Sequence, residues 1–151
     1  MEGGTVMLQG EYTHTIDTKG RLIVPAKLRE GLGDTFTITR GFDGCIYAYS
    51  NDEWEALKER IAKLPLNDAR ARSLTRFFIG GASEVEVDKQ GRIPITQTLR
   101  THAGLEKDVV SLGVGNKVEI WSAKKYNEVN AESFENIENV AESMLEFGFT
   151  I

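Results

Sequence analysis

Soft metal ligands and pairable thiols are almost missing from this chain: one cysteine (Cys45) and two histidines (His14 and His102) stand in 151 residues. A lone cysteine closes no internal disulfide, and one thiol with two imidazoles falls short of a four-ligand zinc site. No run approaches the roughly 18 consecutive apolar residues of a membrane span. Met1 to Gly10 has neither the basic nor the apolar stretch of an export signal. A cytoplasmic protein without membrane, metal or cofactor is expected. Also missing are a nucleophile elbow, a phosphate loop, a metal-binding helix and a carboxylate pair, and neither histidine has a Ser or Cys partner at a recognisable spacing. No catalytic residue or small-molecule substrate is therefore expected. Positive charge is scarce as well, with 18 Lys and Arg against 23 Asp and Glu. Such a balance works against a nucleic-acid partner, whose phosphates are neutralised by Lys and Arg, until position is considered. Residues 123–151 hold two Lys against six Glu, leaving 16 basic and 17 acidic side chains in 1–122. The body is nearly neutral, and the deficit sits in the tail.

What the chain does have is a repeat. Asp17-Thr18-Lys19-Gly20-Arg21-Leu22-Ile23 returns 71 residues later as Asp88-Lys89-Gln90-Gly91-Arg92-Ile93-Pro94. At that offset Gly10 meets Gly81, Leu28-Arg29 meets Leu99-Arg100 and Gly33 meets Gly104. One added residue moves the offset to 72, where Gly41 meets Gly113, Tyr49-Ser50 meets Trp121-Ser122 and Trp54 meets Tyr126. A unit of roughly 45 residues leaves too much apolar surface exposed to be stable alone, so the two copies are expected to pack on each other as one pseudo-symmetric barrel.

Alternating apolar and polar residues over 11–16, 35–40, 45–49 and 117–121 predict strands. Asp17 to Gly20 and Asp88 to Gly91 have the Asp and Gly of tight turns, each projecting the Arg that follows. Pro25 opens a short helix stopped at Gly31 or Gly33, and Thr96 caps its twin, ended by Gly104. Ser50 to Glu53 reads as a capping box leading into a helix to Leu64; Pro65 breaks it, and 68–79 forms another. After Ser122 one longer amphipathic helix is expected to run towards Phe147, with Ile137, Val140, Ala141 and Met144 on the face that packs.

The two copies of Asp-x-x-x-Arg, Asp17 to Arg21 and Asp88 to Arg92, each inside a matching β unit, resemble the MraZ family of bacterial transcriptional regulators. Further matching stretches are Gly10-Glu11-Tyr12, Leu22-Ile23-Val24-Pro25, Asp68-Ala69-Arg70, Phe77-Phe78 and His102-Ala103-Gly104-Leu105, so the resemblance covers nearly the whole chain. It implies an α+β, mainly β fold: a double-split β-barrel of the SpoVT-AbrB type, made from two tandem AbrB-like repeats in one chain with flanking helices. The expected divisions are repeat 1 at 10–55, linking helices at 56–80, repeat 2 at 81–125, and a C-terminal helix and tail at 126–151. The resemblance also implies a ring-shaped homo-oligomer that binds double-stranded DNA at short direct repeats. These lie in the promoter of its own division and cell-wall gene cluster, where it acts at the nucleoid, with repression as the expected sign.

Arg21 and Arg92 are the leading candidates for DNA contact, since a guanidinium on a turn offers a planar donor fork to guanine or phosphate. A second reading stands beside it and can coexist: each Arg pairs with its own Asp17 or Asp88 and fixes the turn. Lys19, Lys27, Arg29, Lys89 and Arg100 extend the basic strip as phosphate contacts or are solvated surface. Pro94 stands two positions earlier in its copy than Pro25 does, and a proline inside a strand predicts a shortened or bulged second strand, making the second copy the less secure DNA contact. Tyr49, Trp54, Trp121 and Tyr126 read as core or subunit-interface aromatics, and Cys45 as packing. The rival function is a structural or protein-interaction module, antitoxin-like or a scaffold, in which the repeated motifs serve folding alone.

Overall fold

The computed structural model describes residues 7–151. Its elements run β1 (Leu8–Thr15), β2 (Arg21–Ile23), α1 (Ala26–Leu32), β3 (Thr35–Arg40), β4 (Ile46–Tyr49), α2 (Asn51–Ala62), α3 (Ala69–Phe78) and β5 (Ser83–Glu86), then β6 (Arg92–Pro94), α4 (Gln97–Ala103), β7 (Asp108–Gly115), β8 (Val118–Ser122), α5 (Ala123–Glu135) and α6 (Ile137–Ser143). The fold is α+β, but helices take up more of the described chain than strands do, so the mainly-β expectation is corrected.

Six strands form one antiparallel sheet in the order β1-β7-β8-β4-β3-β5, and β2 pairs with β6 in a separate ribbon. Exchanging each strand for its equivalent in the other copy leaves both orders unchanged, so a pseudo-two-fold passes between β4 and β8 and through the ribbon. The outer strands are exchanged: β1 of the first copy lies on β7 of the second, from Leu8 opposite Gly115 to Thr15 opposite Asp108. β5 of the second lies on β3 of the first, with Thr35 opposite Glu86.

Side chains alternate between the faces of a strand, and β4 and β8 are buried on both. Ile46, Ala48, Val109 and Ile120 point into one core together with Leu22, Phe36, Ile93, Leu28 and Leu99, that is, towards the ribbon and α1 and α4. Tyr47, Tyr49, Val110 and Trp121 point into a second core, with Trp54, Ile61, Phe78 and Tyr126 of the covering helices. Burying each of these larger side chains stabilises the fold by about 1.5–3 kcal/mol.

The helix starts follow their caps. Ser50 Oγ accepts from the Glu53 N–H at 3.3 Å, Thr96 Oγ1 from Leu99 at 3.3 Å and Ser122 Oγ from Lys125 at 3.3 Å. The C-terminal helix departs from expectation. It breaks at Asn136 (φ −106°, ψ 25°) into α5 and α6, then tightens into a 3-10 turn over Met144–Phe147. Ile137, Val140 and Met144 are left exposed rather than packed.

Candidate nucleic-acid interface

Each Asp-x-x-x-Arg motif builds its own turn. The Oδ1 of Asp17 accepts the backbone N–H groups of Lys19 and Arg21, both at 2.9 Å, and its Oδ2 takes the Arg21 Nε at 2.8 Å. In the second copy Asp88 Oδ1 accepts from Gln90 and Arg92 at 2.9 Å, and Oδ2 takes Arg92 Nε at 3.0 Å. Three donors per carboxylate favour its charged form. The backbone N–H of Arg21, then its side chain and the Lys19 N–H, hold Asp17 below the usual carboxylate range, and Arg92 and Gln90 do the same for Asp88. Gly20 and Gly91 finish the turns at φ +78° and +81°, where other residues are strained. The sequence reading of a structural Asp–Arg pair therefore holds in both copies, and it fixes the direction of each guanidinium.

The ribbon then brings the two turns into one surface. Arg21 lies opposite Pro94, Leu22 opposite Ile93 and Ile23 opposite Arg92. Leu22 and Ile93 are 1% exposed and face the core, which turns Arg21, Ile23, Arg92 and Pro94 outward together. Across the ribbon, Arg92 Nη1 comes within 3.8 Å of Asp17 Oδ2. The second strand is neither shortened nor bulged, contrary to the proline argument. Ile95 N–H donates to Gly20 O and Val24 N–H to Gly91 O, both at 2.8 Å. Bonded and non-bonded pairs alternate in an antiparallel ladder, so Arg21–Pro94 is a non-bonded pair and the missing N–H of Pro94 costs nothing.

The remaining basic residues divide. Lys19 and Lys89 are exposed on the two turns that flank the ribbon, whereas Lys27 is exposed on α1, next to Leu8 and Gly10 of β1. Arg29 pairs with Asp34 at 3.1 Å. Arg100 bonds the carbonyl of Ile95 and the Gln97 Oε1, and lies directly over Gly20 of the opposite copy. The two motif arginines differ as well. Arg92 Nη2 donates to Gln90 Oε1 at 2.7 Å, whereas Arg21 makes its side-chain bonds only to Asp17 among the described residues. Sequence reasoning missed Gln90 and the outward Ile23. Gln90 stands inside the repeated motif where the first copy has Lys19, a difference that was visible; the facing of Ile23 needed the ribbon register.

Elsewhere, the aromatics are structural. Trp54, Tyr49, Trp121 and Tyr126 are all buried, and the Tyr126 hydroxyl donates to Glu11 Oε1 at 2.8 Å. Burial pushes the Cys45 thiol well up, and its Sγ faces the Phe42 carbonyl at 3.4 Å, an unreactive setting. The His102 Nε2 lies 3.1 Å from the Gly41 carbonyl. Among the described residues no helix is long and apolar enough to cross a membrane.

A family model described as "MraZ protein, putative antitoxin-like" matches residues 7–77 and again 78–148. A protein named transcriptional regulator MraZ from Clostridium beijerinckii is 54% identical over 142 residues, 94% of this chain and 99% of the relative. Proteins of the same name from Ligilactobacillus salivarius and Natranaerobius thermophilus are 52% and 51% identical over 141 residues, 93% of this chain and 99% of each relative.

Proposed function

The chain belongs to the MraZ family, and from that premise we propose that it is a sequence-specific DNA-binding transcriptional regulator whose reading head is the β2–β6 ribbon. The observation that carries this is the joint presentation of Arg21 and Arg92 on the outer face of a single two-stranded ribbon, an element that fits the major groove. Their paired carboxylates pre-set the guanidinium forks, so little side-chain freedom is lost on contact. Lys19, Lys27 and Lys89 supply phosphate contacts around it, with Arg29 and Arg100 flanking. Arg21, with its outer nitrogens unspent within the protomer, carries more of the base contact than Arg92.

In this reading the two half-domains, 10–55 and 81–125, close as a double-split β-barrel, and the helical segments 56–80 and 126–151 lie outside it. A protomer with so few cations binds one site weakly. Affinity comes from several ribbons on a ring-like homo-oligomer meeting several direct repeats in the promoter of its own division and cell-wall gene cluster, which turns later contacts into intramolecular ones. The protein then resides in the cytoplasm at the nucleoid and represses that promoter.

A mobility shift on the protein's own upstream DNA tests this. Arg21→Ala should weaken specific binding about 10- to 100-fold, as for a lost bidentate base contact, and Arg92→Ala less, with folding intact. Lys19→Ala should lower the slope of log affinity on log salt by about 0.9 per lost phosphate contact. A probe with one repeat that binds as tightly as one with several would refute the multivalent mechanism. No binding at low salt would favour the reading in which the Asp–Arg pairs serve folding and the partners are proteins.

A further inference from the structure

Two surfaces of this protomer are left uncovered by any other of the described residues. The first is the C-terminal segment. Val140, Leu145, Phe147 and Phe149 are exposed, Phe147 by 74%, in a stretch whose main packing is on α5 and on its own terminal turn. This stretch carries Glu138, Glu142 and Glu146 and follows Glu128, Glu132 and Glu135 of α5, and none of the six makes an ion pair among the described residues. An apolar ridge flanked by one sign of charge is a poor solvated face, because the apolar side chains gain nothing from water and the carboxylates repel one another.

The second surface is a groove over the first half of the sheet, walled by α2 and α3. It measures about 430 Å³, is floored by Tyr47 and Phe78, and is lined by Phe42, Leu57, Ile61 and Leu74. Among the described residues, the charged side chains lining it are Arg60 and Lys117. A second hollow of about 260 Å³ continues it past Leu64 and Leu74 to Arg70, whose charge is met by Asp68 of the same hollow at 2.8 Å, so the excess of positive charge lies at Arg60 and Lys117. Exposed Arg72 and Arg76 lie on the same α3, which carries no acidic residue.

Groove and ridge are thus complementary in both respects, apolar against apolar and basic against acidic. They also stand over different halves of the fold, the groove beside β3 and β4 and the ridge after β8. We propose that residues 137–151 of one copy dock into the α2–α3 groove of a second copy of this chain, with Glu142 and Glu146 facing Arg60 and Lys117. Two different patches meet, so the contact is heterologous: it repeats from copy to copy and closes as a ring when the rotation allows. The inference rests on the homo-oligomer reading above and names the surfaces that build it.

Light scattering on the full chain tests it at fixed concentration, with circular dichroism confirming the fold of each variant. The wild type should have the mass of several protomers. Glu142→Arg with Glu146→Arg, or Arg60→Glu with Lys117→Glu, should at least halve that mass, and all four substitutions in one chain should restore it. A benzoylphenylalanine placed at Phe147 should cross-link to 42–64 or 69–79 of a differently isotope-labelled copy. A single-protomer wild type overturns the homo-oligomer reading and this inference with it. A multimeric wild type whose mass neither reversal changes, or whose cross-links map elsewhere or do not form, overturns the docking alone.

Discussion

Gly20 and Gly91 occupy the same place in two equivalent turns, yet alanine should cost them different amounts. Both have positive φ, +78° and +81°, so each substitution incurs the left-handed backbone cost of about 1–2 kcal/mol. The surroundings separate them. A methyl at Gly20 would land inside the Arg100 guanidinium, whereas one at Gly91 meets nothing within 4 Å. The displaced end is flexible, so the clash itself relaxes, but Arg100 then loses its bonds to the Ile95 carbonyl and to Gln97. For a half-buried cation that regains some water this is about 1–2 kcal/mol. Gly20→Ala should therefore cost about 2–4 kcal/mol and Gly91→Ala about 1–2 kcal/mol. In a chain of this size the difference lowers the melting midpoint by roughly a further 2–8 °C. Calorimetry at one fixed protomer concentration would read it, since any assembly couples to stability. A double-mutant cycle isolates the cause: in an Arg100→Ala background the two glycine substitutions should cost the same. Equal costs in the intact chain, or an excess at Gly20 that survives without Arg100, would refute the reasoning.

Pro94→Ala should change stability by less than about 0.5 kcal/mol, because the ladder asks for no N–H at that position; urea midpoints would show it, and a large loss would mean the ribbon register is wrong. Tyr126→Phe should cost about 1 kcal/mol for the bond to Glu11. Burial first, then that carboxylate, raise the Tyr126 phenol to about 12. With the folded value above the unfolded one near ~10, the contribution is complete below the latter and lost as pH rises through about 12. The phenylalanine variant should accordingly lose the alkaline fall in stability attributable to this group, seen as urea midpoints compared across that range. Asp17→Asn and Asp88→Asn should act at the other end. Both carboxyls are lowered, so their contribution is present above the ordinary value near ~3.9 and disappears as pH falls through the lower folded one. The variants should show a shallower acid limb by circular dichroism; an unchanged limb would mean that the turns do not hold their charge.

The sequence disclosed what depends on near neighbours. The two turns, the starts of α1 and α4, the Ser50 and Thr96 caps and the buried aromatics at offset 72 are all set by residues within a few positions of one another. What it could not disclose is pairing. Strands of three residues such as β2 and β6 carry no period from which to choose a partner, so the ribbon, the outward Ile23 and the harmless phase of Pro94 appear only once the register is known. Arg100 read as a phosphate contact or solvated surface, and its seat over Gly20 was hidden because that glycine lies in the opposite copy. The helical period ran through Asn136 without a mark, and an apolar stripe says that something is to be covered, not by what.

Joining two copies in one chain removes a constraint that identical subunits cannot escape. In a symmetric pair every substitution appears at both ends of the ribbon. Here Lys19 faces the solvent at one end where Gln90 holds an arginine at the other, and Arg100 guards one glycine while Arg29 turns to Asp34 and leaves its twin bare. A ribbon with two identical ends reads a duplex alike in either direction and suits a palindrome. Ends that differ give the ribbon a head and a tail, so in the DNA-reading role proposed above a target repeated in one orientation becomes distinguishable from the same target inverted.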